Sequence, residues 1–266
     1  MPALSFAERD YIGEGVSANV RADGRTREEW REVSVEISPI VQAAGSARVR
    51  IGGTDVLVSI KGDVLAPSFE HPEEGQLHCS VDSASTMRLG KSSSSEDRHL
   101  QERQHELEAF MNELIGQSID LKRFCLETGR YCWVLHLDAL LLAEDGSVIE
   151  ALGLACRLAL GALRLPKVVI SSEGELSLGA ADEERVVSSD SVPLLIGVSL
   201  LGSGFVIDAS GAEESCADLI MYIGINRANE ICMTRKVGTG LLDLAHLPQI
   251  INAAKEAASS LLKHIS

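Results

Sequence analysis

Aromatic side chains are scarce in this chain, only 4% of 266 residues. That scarcity argues against a stacking platform of the kind that grips single-stranded nucleic acid. Paired cysteines are lacking as well. Cys79, Cys125, Cys132, Cys156, Cys216 and Cys232 form no Cys-x-x-Cys motif and no zinc-finger spacing, so reduced structural thiols are expected. The seven histidines are scattered, with no His-x-x-x-His and no His-Glu-x-x-His, and neither a metal site nor a cofactor is expected. Uncharged apolar runs of membrane-spanning length are missing too. The stretch Met1 to Arg9 has no basic start followed by an apolar segment, so a cytosolic or nuclear location is expected and a membrane partner is not. Positive charge is in short supply, with 24 Lys and Arg against 39 Asp and Glu, a net −15. Such a protein gains little from counterion release, and any RNA contact needs a local basic patch or basic partners.

What the chain does have is an apolar centre. Trp133 to Leu142 reads as a strand, Ala143-Glu144-Asp145-Gly146-Ser147 as a tight turn, and Val148 to Leu163 as a helix interrupted mainly by Glu150 and Arg157. Apolar residues on almost every side of that helix mean that it is covered on most faces. Gly146 can take a backbone shape closed to other residues, and Ser147 is placed to cap the helix. A strand-to-helix turn of this kind is where α/β proteins usually put chemistry.

Around this centre the pattern is mixed. The first twenty residues read as an amphipathic arm anchored by Leu4, Phe6, Tyr11 and Ile12, followed by the turn Arg21-Ala22-Asp23-Gly24-Arg25 with local ion pairs. Val33, Val35 and Ile37 alternate, as do Gly45 to Ile51 and Val56 to Ile60 across Gly52-Gly53, predicting a three-stranded antiparallel meander. Leu77 to Val81 can form a further strand. Ser92 to Ser95 precede Glu96-Asp97 in a polar loop, and Arg88, Lys91, Arg98 and Arg103 cluster around it as candidate RNA-backbone contacts. Leu100, Leu107, Phe110, Met111 and Leu114 predict a helix over His99 to Gln117. Then come a short strand at Ile119 to Leu126, a hairpin of Val168 to Ile170 with Leu176 to Leu178, strands at Val192 to Leu201 and Phe205 to Asp208, and a hairpin of Leu219 to Ile225 with Glu230 to Arg235. Leu247, Ile250, Ile251, Ala254, Ala258, Leu261 and Leu262 stripe a C-terminal helix that closes over the second sheet.

These elements predict an α+β protein of two β-α halves, because strands joined by hairpins disfavour a parallel doubly wound sheet. The boundary is expected near Asp182-Glu183-Glu184-Arg185. The divisions are then an arm (1–20), a first subdomain (21–185) and a second (186–266).

The order Arg21-Ala22-Asp23-Gly24-Arg25, then Gly45-Ser46-Ala47-Arg48-Val49-Arg50-Ile51-Gly52-Gly53-Thr54-Asp55-Val56-Leu57-Val58, then Asp145-Gly146-Ser147 opening a helix, resembles the RNase PH family. Within it, Cys132-Trp133-Val134-Leu135-His136-Leu137-Asp138 and Asp208-Ala209-Ser210-Gly211-Ala212-Glu213-Glu214 resemble a ring subunit of the eukaryotic RNA exosome. The resemblance implies two stacked β-α subdomains, the first like ribosomal protein S5 domain 2. It also implies paralogous RNase PH-like ring subunits, S1/KH cap subunits, RNA threaded through the ring and an associated hydrolytic exoribonuclease. The implied setting is the nucleus, nucleolus included, and the cytoplasm, with roles in rRNA maturation and mRNA turnover.

Active members cleave RNA from its 3′ end with inorganic phosphate, at a turn resembling Asp-Gly-Gly-Thr-Arg whose arginine and helix-start amides hold the anion. Here the run is Asp145-Gly146-Ser147-Val148, a degenerate phosphate turn with valine where the cation belongs. The helix expected to carry arginines is acidic around Glu106, Glu108 and Glu113. Of the paired second-domain aspartates only Asp218 offers a match, with Glu213 and Glu214 as displaced substitutes and Ala212 six residues before Asp218. The expectation is a non-catalytic ring subunit along an RNA path. The alternatives are a composite phosphorolytic site shared with a paralogue, and a free monomeric binding protein.

Overall fold

The computed structural model describes residues 4–83, 95–170, 176–185 and 187–265. Helix α1 (Phe6–Ser17) starts at a capping box in which Ser5 and Glu8 satisfy each other's backbone amides. Its anchor differs from the expected one. Phe6 and Tyr11 are largely exposed, whereas Val16, with Ile12 beside it, packs on Leu201, Val206 and Ala209 of the second subdomain.

The predicted meander is present as β1 (Val33–Ile37), β2 (Gly45–Ile51) and β3 (Thr54–Leu65), antiparallel in register Val35 to Val49 and Val49 to Val56. Gly52 makes the β2–β3 turn at φ +55°, a backbone shape that favours glycine. The next strand, β4 (Gln76–Ser83), pairs parallel to a later one. Helix α2 (Ser95–Ser118) is longer than the apolar period alone indicated, since its N-terminal turn carries no apolar signal. The strand expected at Ile119 to Leu126 is mostly a 3-10 turn over Leu121–Phe124. Asp120 accepts the Lys122 N–H and pulls the chain into that turn, leaving only β5 (Cys125–Glu127) extended.

Strand β6 (Tyr131–Ala143) lies between β3 and β4, giving the order β1-β2-β3-β6-β4 with β5 beside β6. Helix α3 (Val148–Gly161) follows and is buried on nearly all sides, Glu150 and Arg157 included. The cause is its position: α3 packs against β2 and β3 of the first sheet and β9 (Leu194–Leu201) of the second. The Arg157 guanidinium is satisfied by the Val192 carbonyl and by Asp190. Between the two sheets in sequence, β7 (Arg164–Ile170) and β8 (Leu176–Arg185) form a separate two-stranded ribbon. Asp182 to Arg185, where the subdomain boundary is expected, form the end of β8, with Arg164 paired to Arg185.

The second sheet has the order β10-β9-β11-β12, with β10 (Gly204–Ile207), β11 (Leu219–Ile225) and β12 (Ile231–Val237). A short helix α4 (Gly211–Cys216), not anticipated from periodicity because it is barely more than a turn long, follows Ser210, which caps it. Helix α5 (Leu247–Ile265) buries Ile250, Ala253, Ala254, Ala257, Ala258 and Leu261 against the sheet. The Trp30 indole N–H donates to the Ala257 carbonyl at 3.2 Å and joins this helix to the segment before β1. The two large aliphatics buried fully on that stripe, Ile250 and Leu261, contribute roughly 3–6 kcal/mol before entropy. No helix among the described residues is long and apolar enough to cross a membrane.

Candidate functional site

Strand β6 delivers Glu144 to Ser147 to the seam between the subdomains. Gly146 sits at φ +74°, and a Cβ there would stand 2.2 Å from the Ala209 carbonyl oxygen, so the turn requires glycine on both grounds. Thr54, at the start of β3, accepts the Asp145 N–H at 2.9 Å and donates to the Gly146 carbonyl at 2.6 Å. Ser147 does not cap α3 with its side chain, as its sequence position suggested. Its backbone is left-handed (φ 51°), which turns the hydroxyl to the Ala209 carbonyl at 3.3 Å.

The amide at the head of α3 is engaged instead by the second subdomain. The Ser147 N–H donates to Glu214 Oε1 at 2.6 Å, and the Gly211 N–H donates to Asp145 Oδ1 at 3.2 Å. Beneath this contact lies an arginine clasp. Arg31 donates through its backbone N–H, Nε and Nη2 to the fully buried Asp208 carboxylate at 2.7, 2.9 and 2.7 Å, and through Nη1 to the Asp145 carbonyl. Arg25 reaches the same carboxylate at 3.1 Å while also pairing with Asp23 at 2.7 Å. Arg21 pairs with Glu213 and donates to the Ile207 and Asp208 carbonyls. The turn over residues 21–25 is therefore more than a solvated loop with local ion pairs. Two of its cations close the seam.

A cleft of about 360 Å³ opens beside the turn. Arg103, Glu106, Leu107 and Phe110 of α2 form one wall, Val148 and Ile149 of α3 with Glu214 form its floor, and Tyr222, Arg235, Lys236 and Val237 of β11 and β12 form the other wall. Arg103 is held by Glu144 at 2.8 Å. Arg235 lies 4.7 Å from the Phe110 ring centroid and pairs with Glu113 at 3.1 Å. Burial raises the Glu214 carboxyl above its ordinary range, while the Ser147 amide, Arg103 and Arg31 oppose that rise. Glu150, one turn into α3, is pushed up to about 8 by burial and then by Glu214. Its Oε2 has no hydrogen-bond partner among the described residues. A Cβ on Gly197 would lie 2.0 Å from its other oxygen, so that glycine makes room for the carboxyl.

The sequence-predicted residues distribute unevenly. Asp145, Gly146 and Ser147 form the turn, and Val148 is buried at its edge. Arg103 reaches the cleft and Arg98 is exposed on α2. Arg88 and Lys91, with Ser92 to Ser94 of the serine run, lie outside the described residues, as do 171–175 of the β7–β8 connection. Asp218 does not line this cleft; its Oδ2 accepts the Gly202 N–H at 3.0 Å and holds the β9–β10 turn. Glu213 faces Arg21, which holds its carboxyl below the ordinary range despite burial. Of the second-subdomain acids weighed, Glu214 alone lines the cleft, with Glu106 of α2 on the facing wall. Arg31, Tyr222, Arg235 and Lys236 were not singled out by sequence. For the last three the signal lay in the hairpin register, which pairs Tyr222 with Arg235 and Met221 with Lys236.

Chemically, the cleft offers three cations and a carboxylate-plugged helix start. It can hold a polyanion through Arg103, Arg235 and Lys236. It lacks a cation at position 148 to fix a phosphate against α3.

Two β-α subdomains clasped across a glycine-bearing strand-to-helix turn define the class, a two-subdomain α+β fold. The chain belongs to the 3′ exoribonuclease family, RNase PH, whose domain 1 matches residues 29–166 and whose domain 2 matches residues 191–257. It is 29% identical to a putative exosome complex exonuclease RRP42 of Dictyostelium discoideum, over 98% of this chain and 96% of that one. It is 30% identical to the exosome complex component Rrp42 of Methanocella arvoryzae, over 97% and 95%. The fold matches a chain of the Archaeoglobus fulgidus exosome with RNA bound to the active site at a TM-score of 0.78, with 24% identity and 98% of both chains covered.

Proposed function

We propose that this chain is a ring subunit of a eukaryotic-type RNA exosome, supporting 3′-to-5′ RNA processing without cleaving RNA itself. One observation carries the non-catalytic part: the Ser147 amide that would meet a phosphate is bonded to Glu214, next to a buried valine. An anion arriving there finds the amide already held by the Glu214 carboxyl, and Val148 in the place where active members present an arginine. The relatives named for exosome components support the ring role. The proposal places the chain beside paralogous RNase PH-like subunits, under S1/KH cap subunits, on the path of RNA to a separate hydrolytic exoribonuclease, in nucleus and cytoplasm.

The test is a phosphorolysis assay on the purified chain and on a reconstituted ring carrying wild-type or Glu214→Ala subunits. No phosphate-dependent release of nucleoside diphosphates attributable to this subunit is expected. Release that disappears in the Glu214 variant would overturn the reading.

A second reading, a composite site completed by a paralogue, is favoured by Arg103, Arg235 and Lys236 lining an open cleft. Charge reversal at Arg98 and Arg103 separates the two. A composite site predicts lost ring activity, and a scaffold predicts intact assembly with little change.

A further inference from the structure

The β5–β6 hairpin places two cysteines face to face. Cys125 is paired in register with Cys132, and both are reduced. Cys125 leaves the 3-10 turn with extended backbone (φ −75°, ψ 126°), and the register shifts just after it. Directly opposed residues of antiparallel strands have Cα atoms about 4.5–5.5 Å apart and side chains on the same face. A disulfide spans roughly 4.4–6.8 Å between Cα atoms, so the backbone need not move to accept one. In none of the described strand pairings does another cysteine face a cysteine: Cys79 is opposite Leu137, and Cys232 falls at the irregular end of the β11–β12 register.

The two thiols differ in access. Cys132 is fully buried, whereas Cys125 is half-buried and reachable from solvent. Burial and the neighbouring Cys125 both raise the Cys132 thiol, which leaves Cys125 as the group that meets an oxidant first.

We propose that Cys125 and Cys132 are a redox-modification site, a dithiol that peroxides convert reversibly to an intramolecular disulfide. The Cys125 thiolate attacks a peroxide oxygen, forming an S–O bond as the O–O bond breaks, and hydroxide leaves. Cys132 sulfur then attacks the sulfenic sulfur, forming S–S and expelling the second hydroxide, and the two thiol protons complete two waters. Two thiols lose two electrons in all, and one hydrogen peroxide is reduced. A small thiol restores both groups by exchange. The product ties β5 to the start of β6, next to Trp133, and closes the hairpin covalently.

The test treats the full chain with hydrogen peroxide, quenches it, and counts thiols after denaturation. The six thiols of the sequence should fall to four, with dithiothreitol restoring six. Tryptic peptides Phe124–Arg130 and Tyr131–Arg157 should appear joined, with fragmentation placing the bond on Cys132 and not on Cys156, and Cys125→Ser should keep all five of its thiols at the same dose. Because the wild-type count needs no variant, a misfolded Cys125→Ser chain does not blunt the test. Six remaining thiols, a sulfinic acid at Cys125 with Cys132 intact, or loss confined to Cys216 and Cys232 would each overturn the proposal.

Discussion

The Ser147 N–H and the Glu214 carboxylate stand 2.6 Å apart, so the head of α3 is closed by an anion from the opposite subdomain. A carboxylate at a helix N-terminus is favoured by the unsatisfied amides and the helix dipole, as a phosphate would be. The two therefore compete for one place. Glu214→Ala should make the protein respond to inorganic phosphate: at a phosphate concentration about ten times Kd, the stabilisation is on the order of 1.4 kcal/mol, or roughly 2–4 °C in Tm. Wild type should show no such shift in the same thermal-melt series. Equal shifts in both would mean that phosphate binds elsewhere.

Glu150 makes stability depend on pH in a direction opposite to that of an ordinary paired carboxylate. Its value rises from near 4.5 to about 8 on folding. Between those values the folded chain holds a proton that the unfolded chain releases, so raising pH across that window lowers stability. The loss is a few kcal/mol in order of magnitude and is complete once pH exceeds the folded value. Glu150→Gln removes the titrating group and should flatten this limb. Urea unfolding midpoints from pH 5 to 9 test it, and an unchanged downward slope in the variant would assign the effect to another group. Below pH 5 the sign reverses for Glu213, whose lowered carboxyl loses its Arg21 stabilisation on protonation.

The fold was readable because its strands obey a period of two and its turns carry glycine where the backbone turns left-handed. Val33, Val35 and Ile37 announced β1, and Gly52 and Gly146 marked real turns. The errors came from interactions that periodicity cannot carry. Asp120 bends Leu121–Phe124 into a 3-10 turn through a local side-chain bond, and Ser147 loses its cap because the Ala209 carbonyl offers another acceptor. The site was legible as a turn but not as a seam. Arg31 and Asp208 are 177 residues apart, and only the docking of the two subdomains brings them together. Asp218 looked like the better acid by spacing, yet β11 begins just after it, and its carboxylate serves the β9–β10 turn.

Asp208 is the common acceptor of that seam and is itself buried, with Arg31 and Arg25 only 9% and 11% exposed. Removing the carboxylate leaves two guanidinium groups without it in a poorly solvated place. Asp208→Ala should cost about 3–5 kcal/mol, the usual penalty for stranding one side of a buried pair. Arg31→Ala in the same background should add less than its separate effect, because the interaction it would break is already gone. A double-mutant cycle by chemical denaturation measures this, and strict additivity would show that the clasp does not join the subdomains energetically.

Gly146 permits both the left-handed turn and the close approach of residues 209–211. Alanine there places a Cβ 2.2 Å from the Ala209 oxygen and 2.7 Å from the Gly211 nitrogen, both backbone atoms that cannot swing away. Gly146→Ala should therefore push the second subdomain off the turn, with a loss exceeding the roughly 1 kcal/mol of a simple left-handed penalty. Gly129, also at positive φ but with nothing within 4 Å of its would-be Cβ, is the control. Its alanine variant should show only the conformational cost. Similar melting temperatures for the two variants would refute the crowding argument.

The cleft cations give the sharpest electrostatic prediction. Arg103, Arg235 and Lys236 line one opening of about 360 Å³ on a protein whose net charge is −15. Long-range attraction for RNA is therefore weak, and whatever affinity exists must come from short-range contacts with these three. Each phosphate neutralised on a single strand contributes about 0.7 to the slope of log K against log salt. Replacing Lys236 by Gln in a reconstituted ring should reduce that slope by about this amount and weaken binding nearly equally for all sequences. Arg103→Gln should do more than cut one contact, since it also removes the cation that pairs with Glu144 at 2.8 Å beside the cleft. Fluorescence anisotropy over a salt series reads both quantities. Unaltered slopes in both variants would place the RNA path away from this cleft.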